Sequence, residues 1–269
     1  MFQICTITNS LTQYTEMKAS LIQAGFTEDK CRYNVFDNSA ENRHDPYRTI
    51  SEVLAEAAEP YVIFCHQDIL LDKGHGFEQL VSQLDCLSRL DPQWAIAGNA
   101  GCMADSSLIS RITDPNGEQI YGTAPQPVCS LDENFLVIRT AARLHCSESL
   151  SGFHLYGTDL CLQAIQHGLT AYVINFHTTH LSSGNAQSAD FKTALRRFRQ
   201  QWNRSFLVCL IKTPCTSFTL SRSQLVRRLL WSVPESTWDK RCMKLYARIV
   251  RLKKWAQRGY LRPRRTASL

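Results

Sequence analysis

Short apolar, β-branched runs recur along the first two thirds of the chain and alternate with stretches of helical periodicity. FQICTIT (Phe2 to Thr8), CRYNVFD (Cys31 to Asp37) and YVIFC (Tyr61 to Cys65) read as strands. Leu11 to Ala24 carries a helical pattern that stops at Gly25, and Tyr47 to Ala58 carries another. The order β-α-β-α-β predicts a mostly parallel α/β sheet flanked by crossover helices, in which ligands collect beyond the carboxyl ends of the strands. The pattern continues with a helix over Phe77 to Leu90, a strand over Trp94 to Gly98 and a hairpin at DPNG (Asp114 to Gly117). A strand over Asn134 to Thr140 follows, then a helix from Asp159 to His167 with Thr158 as N-cap and Gly168 as stop, and a strand over Ala171 to Phe176.

After Asp190 the character changes. FKTALRRFRQQWNRSFLVCLI and, beyond Pro234, STWDKRCMKLYARIVRLKKWAQRGYL read as amphipathic helices in which Arg and Lys are interleaved with Trp, Tyr, Leu and Ile. A boundary near residue 190 separates a domain of residues 1–190 from an extension of residues 191–269. Charge sharpens it: the first part holds 10 Lys and Arg against 22 Asp and Glu, the second 20 against 2. So basic an end expects an anionic partner. An anionic membrane surface is favoured over nucleic acid, and helices that pack on one face with solvated charges on the other are the plainer alternative.

Composition narrows the class. At 44% hydrophobic and 20% charged residues the chain is of globular type. Its apolar runs, such as Phe206 to Ile211, fall well short of the ~18–20 residues that cross a bilayer. The N-terminus carries no basic leader, and the 11 cysteines form an odd set without a CxxC pair, which argues against a disulfide framework. The expected location is cytoplasmic, with association at the inner face of a membrane through the basic end.

Candidate chemistry sits at strand ends. Asp68, in the HQD that follows YVIFC, could hold a metal whose remaining ligands come from a diphosphate, although an aspartate there commonly serves as a turn former. Asp37 ends the second strand. In SGFHLYGTDLCLQA, Asp159 with His154 and Tyr156 could act on an acceptor hydroxyl as general base, or Asp159 could simply favour a helix start. HTTH offers His177 and His180 as imidazole ligands or as ordinary histidines. Gly98 and Gly101 could bring backbone close to a ligand, and Asp132 and Glu133 place two carboxylates before a strand.

In combination these pieces resemble a known family. HQD after a strand, AGNAG, LDE before a strand, FHLYGTDLCLQA and a final strand–His are similar to the A-type glycosyltransferase fold, in the branch of inverting family 2 related to the streptomycin-biosynthesis protein StrF. The likeness spans about Phe2 to Gly184. It implies a nucleotide-sugar-dependent transferase, of hexosyl or N-acetylhexosaminyl class, acting on a glycan, a lipid-linked saccharide or a small molecule, as in polysaccharide biosynthesis. It implies that Asp68 and His180 hold Mn²⁺ or Mg²⁺, and that Asp37, Gln67, Asp68, Gly98, Asp132 and Glu133 line the donor. It also implies Asp159 as the base and His154 and Tyr156 on the acceptor side. Two departures stand out: His66 opens the DxD-like element where the family carries Asp, which leaves fewer carboxylates for a metal, and Thr158 precedes Asp159 where relatives carry an acidic residue. A protein that keeps the fold without catalysis, working through its basic end as an interaction module, is the alternative. A nucleotidyltransferase is disfavoured because TITNSLTQY holds no glycine-rich phosphate loop.

Overall fold

The computed structural model describes residues 1–182 and 188–225. It opens with β1 (Phe2–Thr8), α1 (Leu11–Gln23), β2 (Cys31–Asp37), α2 (Pro46–Glu56) and β3 (Tyr61–Cys65), close to the boundaries read from the sequence. Next come β4 (Ile69–Leu70), α3 (Phe77–Leu90), β5 (Trp94–Gly98), β6 (Ala100–Cys102), β7 (Leu108–Asp114) and β8 (Gly117–Tyr121). The remaining elements are β9 (Gln126–Val128), β10 (Ser130–Leu131), β11 (Phe135–Arg139), α4 (Tyr156–Gln166), β12 (Thr170–Val173), β13 (Thr178–His180), α5 (Ala189–Trp202), β14 (Cys209–Lys212) and β15 (Ser217–Leu220).

The main sheet has seven strands in the order β2-β1-β3-β11-β5-β12-β9. β1 pairs in parallel with both β2 and β3, as the alternating pattern requires, and β12 runs parallel to β5. The sheet is mixed rather than mostly parallel, because β11 inserts antiparallel between β3 and β5 and β9 adds antiparallel to β12. A second sheet, β10-β6-β7-β13-β4, carries the predicted hairpin, with Asp114 opposite Gly117 where β7 turns into β8. The core between sheet and helices is aromatic. Phe2, Phe26 and Phe77 are buried with ring centroids 5.5–6.1 Å apart, and Leu80, Leu84 and Leu87 of α3 close over them.

Two expectations fail for local reasons. Helix α4 starts at Tyr156, not Asp159, because Leu155 adopts a left-handed backbone (φ 69°) and begins the helix without a side-chain cap. Thr158 is therefore inside the helix, buried, and its hydroxyl finds no hydrogen-bond partner. The helix expected through Ile211 ends at Trp202, and the β-branched and apolar residues beyond it form β14.

The chain divides into two compact units. The first runs through Met1–Gln201 with Ile211–Thr216, past the expected boundary near residue 190, and includes most of α5, whose Phe191 and Phe198 are buried while Lys192, Arg196 and Arg197 are exposed. The second begins at Trp202, and in it Asn203 accepts a bond from the Ser221 amide (3.1 Å). Most of the basic extension, including the helix expected beyond Pro234, lies outside the described residues.

Asp91, at the end of α3, ties that helix to the sheet by accepting bonds from Thr170 Oγ1 (2.5 Å) and Tyr172 Oη (3.0 Å). Burial alone would raise its carboxyl pKa, but these bonds and one from the Gln93 amide hold it below the ordinary value. Such a group stabilises the fold above its unfolded pKa and ceases to do so as pH falls through the folded one. Asp91→Ala should cost about 1–2 kcal/mol at pH 7 in urea unfolding. Its deficit against the wild type should close on acidification below about pH 4.

Candidate functional site

β1, β2 and β3 end side by side, with Thr8 in register with Asp37. Beyond them opens a cleft of about 380 Å³. Thr8, Asn9, Asn38, Asn42, Gln67 and Tyr156 supply its polar wall, and Ile50, Phe64 and Phe153 its apolar one. The floor of the cleft is the His66-Gln67-Asp68 element.

There the structure gathers a third ligand that the sequence reading treated as a weakness. His66, Asp68 and His180 bring one ligand atom each to within 4.8 Å of one another. β13 pairs antiparallel with β4, placing His180 opposite Ile69, so its Nε2 lies 3.2 Å from Asp68 Oδ1 and 3.3 Å from His66 Nδ1. Burial and the neighbouring His180 keep His66 neutral by lowering its pKa. For Asp68, burial is outweighed by bonds from His180 and Ser182 and by the imidazole charges, so it stays ionised well below the usual carboxylate range. His180 is shifted the other way: burial would lower its pKa, but the bond to Asp68 and that carboxylate's charge raise it. Two imidazoles and one ionised carboxylate fit a divalent cation, and His66 adds to the centre rather than weakening it. Nδ1 of His66 is turned to the cluster and Nε2 lies 3.1 Å from Tyr156 Oη; with Nδ1 as a ligand, Nε2–H would donate to that hydroxyl, the kind of bond that orients a ligating imidazole.

A buried amide network fixes these strand ends. Asn99 Nδ2 donates to Asn134 Oδ1 (2.9 Å) and Thr178 Oγ1 (2.7 Å), Asn134 Nδ2 donates to Asp132 Oδ1 (2.6 Å), and the Asn134 carbonyl accepts from the His66 amide (3.0 Å). The sequence reading passed over Asn99 and Asn134, since a lone buried amide leaves no local signal.

The other expected residues divide. Asp132 and Glu133 both keep some solvent exposure, and the charge of Asp132 reaches both His66 and His180. Glu133 lies under the first turn of α4, accepting from the amides of Gly157 and Leu155; burial and Asp132 push its pKa up to about 8. This approach needs glycine at 157, where a Cβ would stand 2.8 Å from the Leu131 carbonyl and 3.4 Å from Glu133 Cγ. Gln67 lines the cleft, but its amide is engaged within the protein by Thr8, Asn9, Ser10 and Gln13. His154 lies away from the cleft in a neighbouring cavity.

Three placements correct the sequence reading. Gly98 is inside buried β5, where a Cβ would meet Leu131 and the Phe135 carbonyl at 3.0–3.1 Å, so it packs strands rather than a donor. Asp37 is exposed at the end of β2 and accepts the Ser39 amide proton (2.8 Å), while Asn38 takes the wall of the cleft. Asp159 is fully buried, does not line the cleft, and accepts from Ser147 N (2.7 Å) and Ser147 Oγ (2.8 Å). A carboxylate so placed braces α4 against the segment before it.

No family model matches the chain. Over 214 residues it is 33% identical to the Fuscovulum blasticum protein "ATP synthase subunits region ORF 6", covering 77% of this chain and 85% of that one. The chain belongs to that protein's family. The relative's name states no activity. Among solved structures, GalNAc-T7 with UDP, GalNAc and Mn²⁺ superposes with a TM-score of 0.50 at 9% identity, over 76% of this chain and 48% of that one, so the chain spans about half of its length. Staphylococcus aureus TarS with UDP-GlcNAc gives a TM-score of 0.47 at 14% identity over 74% of this chain and 66% of that one. The chain has the A-type glycosyltransferase fold.

The brace at Asp159 has a measurable signature. Asp159→Ala should lower stability by roughly 3 kcal/mol in urea unfolding, and Ser147→Ala, which keeps the backbone amide bond and loses only the hydroxyl one, by about 1–2 kcal/mol. An Asp159→Asn protein of unchanged stability that has lost turnover would return this residue to the chemistry.

Proposed function

We propose that the protein is an inverting glycosyltransferase that moves a sugar from a nucleotide-sugar donor to a hydroxyl of a saccharide or saccharide-bearing acceptor, within the StrF-related branch of inverting family 2. The observation that carries this reading is the meeting of His66, Asp68 and His180 beside a cleft at the carboxyl ends of β1, β2 and β3. The nucleoside lies against Thr8, Asn9, Asn38 and Asn42, with its diphosphate toward Asp68. His66, Asp68 and His180 would hold a divalent cation, which when bound would supply charge neutralisation for the diphosphate leaving group. The nitrogen-rich donor set suits Mn²⁺ better than Mg²⁺, which prefers oxygen.

For the proton we assign Glu133 in place of Asp159. It keeps some solvent exposure beneath the first turn of α4, whereas Asp159 is fully buried, and its surroundings disfavour its charge. The acceptor oxygen attacks the anomeric carbon, Glu133 takes its proton, the bond to the diphosphate oxygen breaks, and configuration inverts.

Two measurements test this. Asp68→Ala and His180→Ala should each abolish Mn²⁺-dependent binding of UDP- and GDP-sugars in calorimetry, and donor affinity at the wild-type value in either variant would refute the metal assignment. Glu133→Gln should cut turnover roughly 10²–10⁴-fold. The same variant should unfold at higher urea than the wild type at neutral pH. A carboxyl with a raised folded pKa loses stability as pH climbs from its unfolded value through the folded one, and the amide escapes that cost. Wild-type turnover should rise with pH toward about 8.

A further inference from the structure

β13, which carries His180, is three residues long and briefly paired. Thr179 and His180 face Leu70 and Ile69 of β4, and Thr178 and Thr179 face Ile112 and Thr113 of β7. Few backbone bonds hold such a strand, so local opening is cheap. The segment joining β4 to α3 adds two more. Thr179 Oγ1 donates to Asp72 Oδ1, and the His177 amide donates to His75 Nδ1 (3.2 Å). His75 also rests edge-on against Phe176 (5.6 Å, 88°), which is buried and stacked on Phe135.

The bond to His75 exists in one protonation state only. An imidazole nitrogen accepts a hydrogen bond while its lone pair is free, whereas in imidazolium both nitrogens are donors. His75 is therefore neutral with its proton on Nε2, and a proton at Nδ1 would set two donors against each other. The ring is half-buried, so solvent protons reach it. Facing it are the His177 imidazole, 6.2 Å away between ring centres, and Arg111 of β7. That guanidinium is buried and bonds to neutral oxygens of Ser110, Tyr121, Gly122 and Asn175. Burial and the Arg111 charge hold the His75 pKa below its ordinary value. That of His177 is lowered by burial and by His75, with Lys73 adding to the effect and Asp72 and Glu118 opposing it.

We infer that His75 is a positioning residue for the cation centre: as a neutral acceptor it straps the chain entering β13 and so fixes His180, and in mild acid it releases that strand. The link to the centre rests on the cation site proposed above; the strap itself does not. A histidine whose folded pKa is depressed leaves the closed form undisturbed above its unfolded value near ~6.5 and opposes it increasingly as pH falls below that value. The opened fraction can grow by at most about tenfold at pH 5.5.

The test follows the His177 amide by hydrogen exchange in the full-length protein without metal, each rate divided by its intrinsic value. Wild-type protection should fall at least threefold from pH 7.5 to pH 5.5. His75→Asn sets a carbonyl oxygen that does not titrate in the place of Nδ1, and should hold protection within twofold over that range, whereas His75→Ala should lower it at every pH. With Mn²⁺ as the calorimetric probe, wild type and His75→Asn should agree within twofold at pH 7.5. At pH 5.5 the wild type should bind at least threefold more weakly, since proton competition at His66 and His180 is common to both proteins. A flat wild-type profile, an equal fall in His75→Asn, or an Asn variant no better protected than the Ala variant at pH 7.5 overturns the proposal. Equal Mn²⁺ affinities at pH 5.5 overturn the link to His180. Exchange results as expected, with Mn²⁺ binding to neither protein, would leave the strap standing and remove the cation centre from the proposed function.

Discussion

The site depends on one constraint: four strand ends from distant parts of the chain must be kept together in a region with little water. Unpaired amides there would cost more than the packing returns. The answer is reciprocal pairing among Asn99, Asn134 and Thr178, each satisfying another, with the Asn134 carbonyl reaching the His66 amide and its side chain reaching Asp132. Through these bonds the end of β5, the start of β11, the start of β13 and the residue after β3 share one frame. The imidazole and carboxylate cluster is built on that frame, and the short pairing of β13 with β4 completes it.

Two acidic residues show how surroundings divide chemically identical groups. Asp159 is fully buried and receives an amide and a hydroxyl from Ser147 at short distances. Glu133 is set beside a second carboxylate and under a hydrophobic helix start, and there its charge is resisted. Sequence proximity to a motif pointed to the first, whereas the local balance of burial against hydrogen bonding points to the second.

The early strands and helices were legible because their periodicity is local: β1, β2 and β3 and the helices between them begin and end where Gly25, Asp37 and HQD say they should. Asp68 and His180 were legible as strand-end residues. The place of His66 in the cluster carries no local signal, since it comes from contact with His180, more than a hundred residues away. The start of α4 was missed because no capping side chain marks it, only a left-handed leucine enforced by Asp45 and Tyr47 from α2. Gly98 and Gly101 looked alike in sequence and both proved to be strand packing; Gly101 is pressed against the Ser130 carbonyl, where no side chain fits.

Gln67 lies between two ligands of the cluster but has spent its own amide on the turn that leads from β1 into α1: its oxygen accepts from Thr8, Asn9 and Ser10, and its nitrogen donates to Asn9 and Gln13. It is a strut between neighbouring strand ends rather than a reader of the substrate. In the proposed transferase, holding the cluster's frame falls to Gln67 and contact with the nucleoside to Asn38 and Asn42, so a change of base preference at those two asparagines would leave that frame untouched.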